Sequence, residues 1–87
     1  MHHRLMDRLL SFELDRSNPP DARRIIRDER QALHVARDRW SHLSRSRARV
    51  PEGSQRATQA EVDAAREHLD AVASEAERVL TMHLEQS

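Results

Sequence analysis

Apolar residues recur along this chain at steps of three and four, the period that brings them onto one face of an α-helix. Over about residues 3–15, Leu5, Leu9 and Phe12 keep the spacing, and Met6, Leu10 and Leu14 widen the stripe. A longer run, about 19–49, carries Ala22, Ile26, Leu33, Ala36, Trp40 and Leu43 at alternating steps and points on to Val50. A third run, about 55–84, carries Val62, Ala65, Leu69, Val72, Ala76, Val79 and His83 in the same way. Alternating threes and fours form a heptad seam, a narrow ridge that one helix offers to another. Between the runs stand the prolines and the single glycine, in "SNPPD" at 17–21 and "VPEGS" at 50–54. β-branched and aromatic residues are sparse, so strands are not expected. The pattern predicts an all-α chain with three helices in a single domain, residues 1–87.

Boundaries follow from the breakers. Ser17 or Asn18 is placed to cap the second helix, with Pro19 or Pro20 in the first turn, where a missing N–H is harmless. The helix must stop before Pro51. For the third helix, Ser54 is one cap candidate. Thr58 with Glu61 is another, because Thr-x-x-Glu lets each side chain bond the other's backbone N–H.

The two long stripes predict their own pairing. A short turn near Pro51 and Gly53 makes the helices antiparallel neighbours. Leu43 then meets Val62, Trp40 meets Ala65, Ala36 meets Leu69, Leu33 meets Val72, Ile26 meets Val79 and Ala22 meets His83. Large side chains mostly face small ones, which is how a narrow seam fills. The expected core is a coiled-coil-like helical hairpin.

Ile25 and Met82 flank this seam near its open end, and Leu80 lies on the other flank. A two-helix seam leaves them uncovered. They imply another layer: the first helix folded back, a second subunit, or both. The sequence reading is a bundle completed by self-association, a homodimer, through Leu5, Leu9, Phe12, Ile25, Ile26, Val79, Leu80 and Met82.

Two polar residues interrupt the second seam, Glu29 and Arg47. Arg47 lies beside the turn, where a long side chain reaches water. Glu29 is expected to pack its stem on the seam and send its carboxylate to an arginine, with Arg30 and Arg78 nearby. A polar residue at such a position can also fix register.

Charge changes the picture more than composition does. The net charge is zero, yet residues 17–50 hold nine arginines against four acids, and residues 51–87 hold three against eight. Arg23, Arg30 and Arg37 repeat every seven residues on the second helix; Asp63, Asp70 and Glu77 do so on the third. Neither stripe lies in the seam. Such stripes suit partner choice and orientation, so Arg23, Arg30 and Arg37 are the expected contacts to a protein partner. The alternative is nucleic acid, gripped through phosphates by an arginine-rich helix that includes "SRSRAR" at 44–49. Against it, the acidic helix lies alongside, and no interleaved aromatics are present for base stacking. All 15 basic residues are arginine, a usage that fits a GC-rich bacterial genome.

Little here resembles a reaction centre. There is no cysteine, no Gly-rich phosphate loop and no nucleophile elbow. His34, Asp38 and His42 share a face but span about 12 Å by helical rise, too far for one ion. His2, His3 and His83 could meet only if the N-terminus folded near the end of the third helix. The expectation is neither enzyme, cofactor nor metal site. No apolar run reaches the length of a signal peptide or a membrane span, so a cytoplasmic, membrane-free protein is expected.

Overall fold

Helices form where the stripes place them: α1 (His3–Leu14), α2 (Pro20–Arg49) and α3 (Gln59–Gln86). They are seen in a computed structural model, which describes residues 2–49 and 58–86. The described residues contain no strand. Val50, Pro51, Gly53 and Ser54, and the side chain of Arg47, lie outside what is described.

The linker between α1 and α2 differs from expectation. Neither Ser17 nor Asn18 caps α2. The Ser17 N–H and hydroxyl both donate to Asp15 Oδ1, at 3.0 and 2.7 Å. Asn18 Nδ2 donates to the Phe12 carbonyl at 3.1 Å. A helix end leaves its last carbonyls without partners, and here the Asn18 side chain serves that need for α1 while Ser17 braces the Asp15 carboxylate. Helix α2 opens instead with the Pro19 carbonyl accepting from the Arg23 N–H at 3.0 Å and with Pro20 as its first residue. Asp21 in the first turn complements the helix dipole.

At α3 the reciprocal cap forms as the spacing predicts. The Thr58 N–H donates to Glu61 Oε2 and the Glu61 N–H to Thr58 Oγ1, both at 3.1 Å.

One hydrophobic core joins all three helices. Leu5, Leu9 and Phe12 of α1 pack with Ile26, Leu33 and Ala36 of α2 and with Leu69, Ala73, Ala76, Val79 and Leu80 of α3. Leu9, Ile26, Leu33, Leu69 and Leu80 are essentially inaccessible to solvent, and each such side chain contributes about 1.5–3 kcal/mol relative to exposure. The buried face of α3 widens along its length. Ala65 and Leu69 give way to a double line in which Ala73 and Leu80 join Ala76 and Val79. Ala73 shares a groove with Leu5, and Leu80 shares one with Phe12. The second line is therefore the face that receives α1. Val72, expected in the seam, is only half-buried.

Helix–helix packing of this kind fits a bundle, drawn out to 54 × 19 × 18 Å. No helix among the described residues is long and apolar enough to cross a membrane.

Candidate interaction site

Burial drives α1 onto the two long helices, and charge sets how it lies. On its α2 side, Glu13 meets two members of the basic stripe. Arg23 Nε donates to the Glu13 carbonyl at 3.0 Å. Arg30 donates twice to the Glu13 carboxylate, Nε to Oε2 at 2.6 Å and Nη2 to Oε1 at 3.2 Å. On its α3 side, Arg8 Nη1 donates to Glu77 Oε1 at 2.7 Å. His2 Nε2 stands 3.4 Å from Asp70 Oδ1. The two stripes thus line opposite sides of α1.

The pairs differ in weight. Glu13 and Arg30 are largely shielded, with side chains 18% and 26% exposed, and their planar fork makes a charge-assisted pair of bonds. The Arg8–Glu77 pair is far more open and is worth about 0.2–1 kcal/mol at most. His2, just before α1, sits at φ 60° and ψ 22°, the one positive φ among the described non-glycine residues. A bulky residue there stores strain of order 1–3 kcal/mol. Its Nε2 is buried yet makes no hydrogen bond.

Each stripe runs one heptad past α1. Arg37, half-buried, has no ion-pair partner among the described residues. Asp63 accepts from Gln59 Nε2 at 2.8 Å. Along this stretch α2 presents Trp40, Ser41 and Ser44, all half-buried, and α3 presents half-buried Val62. The Arg66 guanidinium lies 5.7 Å from the centre of the Trp40 ring.

The apolar residues expected to make a self-contact divide into two groups. Leu5, Leu9, Phe12, Ile26, Val79 and Leu80 are buried within the single chain, because α1 folds back over its own long helices. Ile25 and Met82 stay exposed, at 44% and 40%. The outer side of α1 also keeps large apolar side chains in water: Leu10 at 39% and Leu14 at 69%.

Glu29 is half-buried in the seam, but it pairs with neither expected arginine. Arg30 is held by Glu13, and Arg78 donates to both oxygens of Glu75, Nε at 3.0 Å and Nη2 at 2.5 Å. Burial pushes the Glu29 carboxyl above its usual range. The nearby Glu75 charge adds to the rise, Arg78 opposes it, and Asp28 adds a little more.

Histidines do not gather. His2 lies at the start of α1 beside Asp70. His83 packs edge-on against Phe12 near the other end of α1, ring centroids 6.1 Å apart, with Nδ1 2.9 Å from the Val79 carbonyl. His34 pairs with Asp38 on an exposed face. No group of three or more metal-ligating side chains occurs among the described residues.

Three residues that organise this site carried no weight in the pattern: Glu13, Arg8 and Ala73. Glu13 and Arg8 flank the stripe of α1 on opposite sides, one facing a basic helix and the other an acidic one. That asymmetry was the available signal. Comparison with protein-family models, with curated proteins and with solved structures finds no match to this chain.

Proposed function

We propose that this chain is a small protein–protein interaction module or scaffold that self-associates, with a dimer as its working form. Its frame in this reading is an antiparallel hairpin of α2 and α3 with α1 folded onto the open end. Three relationships support the frame. Ala22 shares a small cavity with His83. Glu29 lies within electrostatic reach of Glu75 and Arg78. Trp40 lies beneath Arg66. As residue numbers rise along α2, those of the α3 neighbours fall.

The observation that carries self-association is the apolar surface left over once the core is closed. Leu10 and Leu14 are one helical turn apart on a helix whose other face is fully used. A helix that is apolar beyond its docking face has a second surface to cover. The basic stripe gives less support to nucleic acid, because Glu13 already engages Arg23 and Arg30.

Sedimentation equilibrium over a range of concentrations tests this reading. Twice the chain mass is expected at the upper end; a monomer throughout overturns it. Heparin chromatography separates the rival. Little retention at physiological salt is expected. Strong retention that disappears when Arg23, Arg30 and Arg37 become alanine would favour nucleic acid.

A further inference from the structure

The structure points to an occupant for the stretch of α2 and α3 that α1 leaves uncovered. We propose that it receives α1 of a second copy of this chain, so that each α1 is held between its own long helices and those of its partner. This inference rests on the self-association reading and names the surface that makes the contact.

Continuity of the docking groove is the first argument. Helix α1 lies between Arg23 and Arg30 on one side and Asp70 and Glu77 on the other. The next member of each stripe, Arg37 and Asp63, continues the same two walls beyond it. Among the described residues, the floor of this stretch is half-buried Trp40 and Val62, with half-buried Ser44 small enough to admit another helix.

Length is the second argument. Helix α2 runs 12 residues past Arg37, and α1 contains 12 residues. At about 1.5 Å per residue both measure about 18 Å.

The third argument is what α1 still has to offer. Leu10 and Leu14 face away from its own core. Asp7 and Arg4, also on the exposed side, have no ion-pair partner among the described residues. A two-fold axis across the long direction of the molecule turns the outer side of each α1 toward the other's vacant stretch. It brings the acid of Asp7 toward the unpaired Arg37. Two-fold symmetry makes the contact self-complementary and closed, so it stops at a dimer.

Because the chain has no cysteine, a disulfide can test the arrangement cleanly. Leu10 lies three residues before Glu13, which is tied to Arg23 and Arg30 of α2, whereas Ser44 lies 14 residues beyond Arg30 on that helix. That separation is about 20 Å, far beyond the Cα spacing of about 4.4–6.8 Å that a disulfide allows. A bond between positions 10 and 44 can therefore form only between copies. Leu10→Cys and Ser44→Cys chains, one isotope-labelled, are mixed and mildly oxidised, and products are identified by mass. A mixed dimer well above either homodimer is expected.

In parallel, Leu10→Asp with Leu14→Asp should weaken the dimer about 30-fold or more, since charges would enter a desolvated contact. Val35→Asp, at a residue 65% exposed elsewhere on α2, should leave it unchanged. Circular dichroism confirms that the variants keep their helices. If the wild type dimerises but the α1 variants do so equally well, while Ile25→Asp or Met82→Asp breaks the dimer, this placement is wrong and self-association stands. If the wild type is monomeric throughout, both fail.

Discussion

Arg30 grips Glu13 with two hydrogen bonds at 2.6 and 3.2 Å, tying the middle of α2 to the last turn of α1. Glu13 also offers its backbone carbonyl to Arg23, so one residue holds two members of a stripe that repeats every seven positions. The bidentate pair adds a directional constraint to the apolar packing of α1.

The first prediction concerns this pair. Glu13→Gln should destabilise the protein by about 1–3 kcal/mol, because a shielded guanidinium loses its charged acceptor. Arg30→Met should cost at least as much, since it leaves the more shielded partner, the Glu13 carboxylate, without its cation. A double-mutant cycle by urea denaturation should return a coupling of about 1 kcal/mol or more. A coupling near zero would mean that the pair is no better than an open surface contact.

Much of this arrangement was legible in the chain, and the parts that were not have a common physical origin. Period and breakers located the helices because burial on one face forces apolar spacing whatever the partner. Thr58 and Glu61 announced their cap because that motif acts within one turn. Asn18 misled because its side chain can satisfy the helix before it or the one after, and Ser17 because Asp15 takes both of its donors; local sequence does not say which partner wins. Glu29 misled similarly. Two arginines were within reach, but both found acids that were better placed, Glu13 in α1 and Glu75 in α3. The competition from Glu13, distant in sequence, is a property of the assembled structure, whereas Glu75 and Arg78 are three residues apart on one helix and pair locally. Leu5, Leu9 and Phe12, expected in a self-contact, are buried by their own chain, because an apolar stripe does not reveal whether its cover belongs to the same chain.

Glu29 yields a pH-dependent prediction. Its folded carboxyl titrates above its unfolded value, chiefly through burial and then through the charge of Glu75. The protonated form is thus favoured by folding. Its contribution is fully present below the ordinary glutamate range and is lost as pH rises through the raised folded value. Glu29→Gln, which cannot ionise, should be more stable than wild type at neutral pH, by less than about 1 kcal/mol because the site is only partly shielded. The advantage should shrink toward zero on acidification. Thermal melts across an acid-to-neutral series measure the difference, and an advantage independent of pH would show that charge is not its cause.

The cap of α3 gives a local test. Thr58→Ala removes the acceptor for the Glu61 N–H and leaves in place the bond from the backbone N–H of residue 58 to the Glu61 carboxylate. A loss of about 1 kcal/mol is expected. Hydrogen exchange should quicken first over residues 59–62, while Leu69 and Ala76 amides, deep in the core, follow only global unfolding. Uniform acceleration along α3 would argue that the cap is coupled to the whole fold.

Trp40 makes the relation between α2 and α3 measurable without any label, as the only tryptophan in the chain. Its ring is half-buried and covered on one side by Arg66. Such a cation–π contact at a partly exposed site is worth about 0.5–1 kcal/mol. Arg66 also reaches Asp70, with Nε 3.4 Å from Oδ2, so two substitutions are needed to separate the effects. Arg66→Ala removes both contacts and uncovers the ring. It should shift tryptophan emission to the red and cost about 0.5–1 kcal/mol. Asp70→Asn weakens the ion pair, together with the His2 contact, without uncovering the ring, and should leave emission where it is. If Arg66→Ala leaves the emission and the accessibility of Trp40 to iodide or acrylamide unchanged, Arg66 does not cover the ring. The register in which Trp40 of α2 lies beside the Ala65–Arg66 stretch of α3 would then lose its most direct support.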